Sequence, residues 1–170
     1  SIRKAAGEKR VREGLICAGM EEKIGPVMVR VMHPPHGSVA AASNDNSLVM
    51  HLSFGRFSAL LTGDLEKKGE IDLLSRPVEL GSLLLKVAHH GSRSATSAAL
   101  LERVRPRWAV VSAGRNNPHG HPSQEVLRRL LRRGVRFFQT SDNGAVTFET
   151  DGRRYVIRSH VRGGLEEGEI

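Results

Sequence analysis

Three groups of chemically active side chains each follow directly after a strongly apolar stretch of the sequence. Asp64 follows FSALLTG, His89 and His90 follow LLLKVA, and a polar segment from Ser112 to His121 follows WAVV. Loops at strand ends gather at one place in a layered sheet and often carry sites, because the sheet holds them rigidly. Carboxylate and imidazole groups are ligands for zinc and manganese. The sequence therefore indicates a metal site at one edge of a sheet.

Each group also has a purely structural interpretation. Asp64 is well suited to cap the N-terminus of a following helix, and for TGD taken alone that role is favoured. A lone histidine at a strand end is more often structural than a ligand. Two in succession before Gly-Ser favour a site, because small residues let the backbone approach a metal closely. The segment NNPHGHPSQ by itself indicates only a turn with the exposed histidines His119 and His121. Asp64, His89 and His90 taken together favour the metal site.

The elements that must position these side chains follow from the spacing of apolar residues. Strands are predicted at 27–33, 47–54, 57–63, 82–88, 107–113, 135–140, 144–150 and 153–159. Helices are predicted at 64–76, 94–104 and 122–134, and a long loop at 34–46. Antiparallel strands thus come first, then alternating strands and helices, then a closing hairpin. This order indicates an α/β (α+β) fold, a mixed sheet with helices on its outer face.

Local signals predict where these elements begin and end. Ser94 is a candidate N-cap, Pro122 suits the first helical position, and Gly134 suits a helix stop. Two short segments, Gly55-Arg56 and Asp151-Gly152, are typical of hairpin turns.

The length of 170 residues fits one domain, with residues 1–25 a connector or partial element, 26–160 the partial domain and 161–170 a flexible tail. No apolar run approaches the roughly 20 residues that a membrane-spanning helix needs. Cys17 is the only cysteine, which excludes an internal disulfide or a thiolate metal cluster. The net charge of +8 favours a polyanionic partner such as nucleic acid or anionic lipid, although an arginine-rich proteome would give the same balance.

The segment EVLRRLLRR predicts a basic amphipathic helix. One face is expected to carry Val126, Leu127, Leu130 and Leu131, and the other Arg128, Arg129, Arg132 and Arg133. Four guanidinium groups along one stripe suit a phosphate backbone. The alternatives are a solvated outer helix or one lying against anionic lipid. Only seven aromatic residues are present (five Phe, one Trp, one Tyr), so base stacking finds little support.

Several ordered motifs carry a family resemblance: NDNS, LLTGD, KVAHHGS, VVSAG and NPHGHP. With these motifs, roughly residues 26–158 resemble the C-terminal metallo-β-lactamase-type domain of the ComEC family of bacterial competence channel proteins. The resemblance implies the C-terminal portion of a four-layer αββα sandwich with a metal site at one edge of the paired sheets. It also implies hydrolysis of phosphodiesters, DNA included, by a metal-activated water.

The resemblance further implies roles for individual residues. Asp64, His89 and His90 would ligate zinc or manganese, and His121 would join these three in catalysis. His90 or His121 would hydrogen-bond the scissile phosphate or protonate the leaving oxygen. The candidate substrate-binding residues are Ser92, Asn117 and His119 of these motifs, together with Arg128 and Arg132 of the predicted basic helix.

The sequence also departs from the family pattern. The upstream HxHxDH-like metal motif has no counterpart, since the only histidines before Asp64 are His33, His36 and His51. We therefore expect a fragment that lacks the first third of the fold and supplies two or three metal ligands. Alone, it should bind metal weakly and catalyse poorly. Exposed sheet edges predict a homodimer or a strand-exchanged oligomer.

The favoured function is a metal-dependent phosphodiester hydrolase (nuclease) module for DNA uptake. By the resemblance it is an extracytoplasmic domain of an inner-membrane protein, whose channel lies on the same polypeptide. One alternative is a non-catalytic module that guides DNA or docks partners, which the asparagines in NDN at 44–46 favour. Another alternative is a soluble metallo-hydrolase of small phosphoesters.

Overall fold

The computed structural model describes residue 9 and residues 14–37, 44–161 and 163–170. Within these ranges the strands are β1 Glu21–Ile24, β2 Val27–His33, β3 Val49–Phe54, β4 Phe57–Leu61, β5 Leu84–Lys86, β6 Trp108–Val111, β7 Arg136–Gln139, β8 Val146–Thr150, β9 Arg154–Ser159 and β10 Leu165–Glu169. The α-helices are α1 Lys67–Ser75, α2 Ala98–Val104, α3 Gln124–Arg132 and α4 Thr140–Asn143. Short 3-10 turns lie at Asn44–Asn46 and Ala88–Gly91.

The strands form two sheets. A seven-stranded sheet runs in chain order from β1 to β7, and a three-stranded sheet has the order β10-β9-β8. Strands β1 to β4 pair antiparallel, whereas β4 to β7 pair parallel. Helices α1, α2 and α3 each connect two neighbouring parallel strands. The carboxyl ends of β4, β5, β6 and β7 therefore lie at the same edge of the sheet, where α/β proteins commonly place their sites.

Alternate residues of the parallel strands enter two different cores. Leu85 and Ala109 are fully buried in a core shared with the helices. The residues that precede them, Leu84 and Trp108, pack in a second core with Tyr155 of the small sheet. The large sheet therefore lies between a helical layer and the small sheet. This arrangement confirms the α/β (α+β) prediction, and the described residues contain three of the four layers that the resemblance implies.

The two predicted hairpins are present. β3 and β4 are joined through Gly55-Arg56, and β8 and β9 through a loop that contains Gly152. Both glycines have positive φ, +57° and +86°, and a Cβ on Gly55 would lie 2.6 Å from the Gly152 carbonyl oxygen. The two turns therefore meet at one end of the molecule.

The start signals predicted for α2 and α3 were wrong. Ser97, not Ser94, caps α2, since its hydroxyl accepts a 3.1 Å hydrogen bond from the Leu100 amide. The Ser94 hydroxyl instead lies 3.1 Å from the Ser92 hydroxyl. Helix α3 begins after the cap Ser123, so Pro122 precedes the helix. The predicted stop at Gly134 is consistent with the helix ending at Arg132.

Strands also lie outside the predicted bounds of 26–160, one near each end of the chain. The supposed tail contains β10, which pairs with β9 along its length, and Glu166 of β10 accepts a hydrogen bond from the buried Trp108 ring. Residues 1–25, predicted to be a connector or a partial element, contain β1, which pairs with β2. The rest of the connector prediction falls mostly on residues 1–13, of which all but Lys9 lie outside the described residues. Residues 38–43 of the predicted loop also lie outside the described residues.

Among the described residues, none of the helices is both long enough and apolar enough to cross a membrane.

Candidate functional site

The three predicted polar groups meet at the carboxyl edge of the parallel strands. Asp64 Oδ1 lies 3.7 Å from His90 Nε2. The ring centroids of His89 and His90 are 6.2 Å apart, and those of His89 and His121 are 5.7 Å apart. His119 stacks on His121 at 5.8 Å. One carboxylate and four imidazoles from three different loops therefore form a single cluster, which we call the histidine cluster.

Asp64 does not cap α1, contrary to the structural interpretation favoured for TGD alone. Helix α1 starts three residues later, and its N-cap residue Glu66 makes no side-chain cap hydrogen bond. The cap comes instead from Asp45, whose Oδ1 accepts 3.0 Å hydrogen bonds from the amides of Lys68 and Gly69. The Asp64 side chain, 44% exposed, is therefore left to face His90.

The backbone that carries the two histidines is strained. His89 and His90 have φ values of +45° and +54°, and Gly91 follows at +84°. Successive residues in the left-handed region are costly for side chains larger than glycine, at about 1–2 kcal/mol each. Such conformations persist only where the surroundings impose them, and they cluster at functional sites. Here the neighbouring loop imposes it, since the Ser123 amide donates to the Gly91 carbonyl at 2.9 Å.

Each of the two histidines has an oxygen facing its Nδ1 atom. His90 Nδ1 donates to the Ser112 carbonyl at 2.6 Å. His89 Nδ1 lies 2.8 Å from the Glu66 carboxylate, although it is buried and makes no aligned hydrogen bond. A metal-bound histidine commonly turns its second nitrogen to a carbonyl or carboxylate, which fixes the ring. Both rings therefore leave Nε2 as the nitrogen available to a ligand.

His121 lies in an environment that disfavours its charged form. Burial lowers the pKa of His121 below its usual 6.5, and the neighbouring His89, His119 and His90 rings lower it further. Asn117 holds the His121 segment in place. Its side-chain amide donates to the His121 carbonyl at 2.6 Å, and its Oδ1 accepts from the His121 amide at 2.9 Å.

A cavity of about 170 Å³ adjoins the histidine cluster. Its lining consists of His90, Ala113, Gly114, Asn117, His119 and His121. Three of the proposed site histidines and the predicted substrate residue Asn117 thus share one open space. The predicted substrate residue Ser92 lies in the turn after the histidines, where its amide donates to the His89 carbonyl at 2.8 Å.

The predicted faces of α3 were wrong at one position each. Arg129 is turned into the fold, where it donates to the carbonyls of Ala95 and Thr96 and to the Glu125 carboxylate. Leu131, predicted on the apolar face, is 62% exposed. The four arginines do share one face of about 140° on a helix of 3.6 residues per turn. The core, however, meets the helix at Val126 and Leu130, which leaves Arg129 at the edge of the buried face and Leu131 on the exposed side. The two substrate candidates of this helix, Arg128 and Arg132, are exposed.

The donor types in the histidine cluster fit a zinc or manganese ion. Asp64 supplies a carboxylate, and His89 and His90 supply imidazole nitrogens whose other nitrogen faces an oxygen, which is the usual second shell of a metal-bound histidine. The number of donors is small, however. Among the residues described in the structure, no group of three or more His, Cys, Asp or Glu side chains is close enough to hold a metal ion. The cluster therefore offers donor types that suit a metal ion, but fewer of them close together than a complete site needs.

Three groups that contact the histidine cluster or the loops that carry it were not predicted from the sequence. Glu66 faces His89 Nδ1 at 2.8 Å, the Ser112 carbonyl orients the His90 ring, and Lys86 donates to the Gly63 carbonyl at 3.1 Å. Glu66 carried a usable signal, since it lies two residues after Asp64 at the same strand end. A carbonyl oxygen carries no sequence signal.

Comparisons with known proteins agree with the motif pattern. The chain is 37% identical over 119 residues to ComE operon protein 3 of Bacillus subtilis (strain 168), which covers 70% of this chain and 15% of that protein. It is 42% identical over 113 residues to Recombination protein 2 of Haemophilus influenzae, covering 66% of this chain and 14% of that protein. It is 36% identical over 106 residues to Competence protein ComA of Neisseria gonorrhoeae, covering 62% of this chain and 15% of that protein.

No protein-family model matches the chain. The chain spans 14% to 15% of the length of these three relatives. The identities of 36% to 42% extend over about two thirds of the chain. By these similarities the chain belongs to the family of ComEC-type competence domains.

Proposed function

We propose that the chain supplies part of a metal-dependent phosphodiester hydrolase site that acts on DNA during its uptake. One observation carries the proposal. Asp64, released from helix capping by Asp45, faces His90 at 3.7 Å across the ends of two parallel strands. A carboxylate and strained, oriented imidazoles at such an edge are suited to binding a divalent ion.

The chain's own residues would divide the work as follows. Asp64, His89 and His90 would hold the ion, with the Ser112 carbonyl keeping the His90 ring in the tautomer whose Nε2 is free. A bound divalent ion lowers the pKa of its water and offsets charge on phosphoryl oxygens. His121, whose pKa is lowered by burial and by its imidazole neighbours, is neutral near pH 7. It would therefore hydrogen-bond a phosphoryl oxygen or accept a proton.

DNA is the proposed substrate for two reasons. The net charge of +8 favours a polyanion through steering and counterion release. One of the relatives carries the name of a competence protein, and another that of a recombination protein. Exposed Arg128 and Arg132 on α3 and the ring of His119 are the proposed contacts to the phosphate backbone, together with Ser92 and Asn117.

We further propose that the chain works as the extracytoplasmic domain of a membrane-associated polypeptide whose channel part passes the DNA.

In isolation, the edge strands β1 and β8 would pair with a second copy. Ile24 of β1 is 63% exposed, and β8 ends the small sheet. Sedimentation at increasing concentration tests this, and a constant monomer mass would contradict it.

A second candidate function is a non-catalytic module that guides DNA. The observation in its favour is that the described residues supply no group of three metal-ligating side chains. The strained histidine turn speaks against it, because a binding module without metal has no need of this turn.

The experiment that tests the proposal compares the 170-residue chain with a version extended upstream along its natural gene. Each protein is dialysed against manganese or zinc, its metal content is measured, and cleavage of labelled DNA is followed. Asp64→Asn and His89→Ala should abolish metal-dependent cleavage. His160→Ala changes an exposed histidine outside the cluster and serves as the matched control. DNA binding without bound metal in the extended protein would refute the hydrolase and support the guiding module.

A further inference from the structure

Lys86, the last residue of β5, reaches from its own strand to the neighbouring one. Its Nζ donates to the Gly63 carbonyl at 3.1 Å and to the Val87 carbonyl at 3.4 Å. Gly63 directly precedes Asp64, and Val87 is two residues before His89. One ammonium group therefore contacts the backbone at the root of both loops that carry the proposed metal ligands.

Two further hydrogen bonds join the same segments. The hydroxyl of Thr62, which is fully buried, donates to the Lys86 carbonyl at 2.6 Å. The His89 amide donates to the Gly63 carbonyl at 3.2 Å, so that carbonyl accepts from both His89 and Lys86. The end of β4 and the end of β5 are thus tied by a small hydrogen-bonded unit, and the ammonium group is its only charged member.

A lysine at this position is costly for packing. In the sheet register Lys86 stands between Leu61 and Val110, where an apolar residue would continue the face that packs on the small sheet. Burial lowers the pKa of the Lys86 amine, while the Asp64 carboxylate acts in the opposite direction. Partly burying a cation requires compensating hydrogen bonds, which the two carbonyls supply. The position therefore calls for a role that an apolar residue cannot fill.

We propose that Lys86 is a positioning residue for the histidine cluster: its ammonium group holds the carbonyls at the ends of β4 and β5, and so fixes the spacing between Asp64 and the paired histidines. The inference rests on the proposed function, since it takes Asp64, His89 and His90 as metal ligands. The competing explanation is that Lys86 contributes only to the stability of the sheet.

The test compares Lys86→Met, which keeps the length and loses the donor, with Lys86→Arg, which keeps the cation. Lys23→Met removes an exposed charge from β1 and is the matched control. All proteins are studied as the 170-residue chain at a temperature where circular dichroism shows each to be folded. Two quantities are measured: the affinity for Mn²⁺, and hydrogen exchange of the His89 amide relative to the Trp108 amide, which donates to the Leu83 carbonyl at 3.0 Å.

Lys86→Met should speed hydrogen exchange at the His89 amide more than at the Trp108 amide. It should also weaken Mn²⁺ binding about tenfold or more, which is the usual effect of removing a residue that holds metal ligands in place. Lys86→Arg should recover part of both effects, and Lys23→Met should show neither. Equal acceleration at both amides with unchanged Mn²⁺ affinity would overturn the proposal and leave a role in stability only. If neither the wild-type chain nor its upstream-extended form binds Mn²⁺ at the cluster, the proposed function fails. In that case hydrogen exchange alone tests the positioning role of Lys86. The role is overturned if Lys86→Met does not speed exchange at the His89 amide more than at the Trp108 amide.

Discussion

Replacing Gly91 with alanine should destabilise the chain by about 2–5 kcal/mol. Gly91 has a φ of +84°, and an added Cβ would lie 2.6 Å from Pro122 Cβ and 3.3 Å from Val111 Cγ1. The left-handed backbone costs a non-glycine residue about 1–2 kcal/mol. Overpacking against a rigid ring adds about 1–3 kcal/mol. Pro122 cannot turn away, because its backbone Cα is itself only 3.0 Å from the new atom.

Urea unfolding followed by circular dichroism measures this effect. Gly14→Ala is the matched control, since a Cβ at Gly14 meets nothing within 4 Å and its φ is not positive. The control should change stability by less than about 0.5 kcal/mol. A loss below about 1 kcal/mol for Gly91→Ala would refute the reasoning. It would mean that the histidine turn and the Pro122 loop are not pressed together as the structure shows.

Three further predictions concern stability. Asp45→Ala should lower the free energy of unfolding by about 1 kcal/mol because it removes the cap of α1, whereas Asp64→Ala should lower it by under about 0.5 kcal/mol. Equal losses for the two variants in urea unfolding would contradict the assignment of the cap. Burial lowers the pKa of His33 below 6.5, so the wild-type chain should lose stability relative to His33→Gln as pH falls below 6.5. The loss should be at most about 1.4 kcal/mol per pH unit until the folded-state pKa is reached, and parallel pH profiles of the two proteins would exclude His33 as the cause. Trp108→Ala should cost about 3–5 kcal/mol, since its ring is fully buried between the two sheets, and a small change in the urea midpoint would show that the small sheet contributes little.

The location of the histidine cluster was predictable because it depends on local pattern. Strongly apolar runs ending in polar residues marked the ends of β4, β5 and β6, and parallel pairing then brought those ends together. The bounds of β2, Val27–His33, were likewise predicted in full. In β2 the alternation of apolar residues in the sequence indicates a strand, and the strand is also what the fold requires there.

The missed features depend on contacts between distant residues. The α1 cap comes from Asp45, 23 residues before Lys68, so no local signal at TGD could reveal it. Strand β10 is rich in glutamate and glycine, yet it pairs with β9 because Glu166 finds Trp108 and Arg136 as partners. Composition alone therefore suggested a mobile tail. The bonds of Lys86 depend on the register of two parallel strands, which a single sequence does not specify.

The most direct test of the central claim is to titrate Mn²⁺ into the 170-residue chain and follow the imidazole signals by NMR. The account predicts paramagnetic broadening first at His89 and His90, then at His121, with the exposed His160 unaffected. The Asp64→Asn variant should require more Mn²⁺ for the same broadening. Broadening that ignores His89 and His90, or that is unchanged in Asp64→Asn, would contradict a metal site at this edge of the sheet.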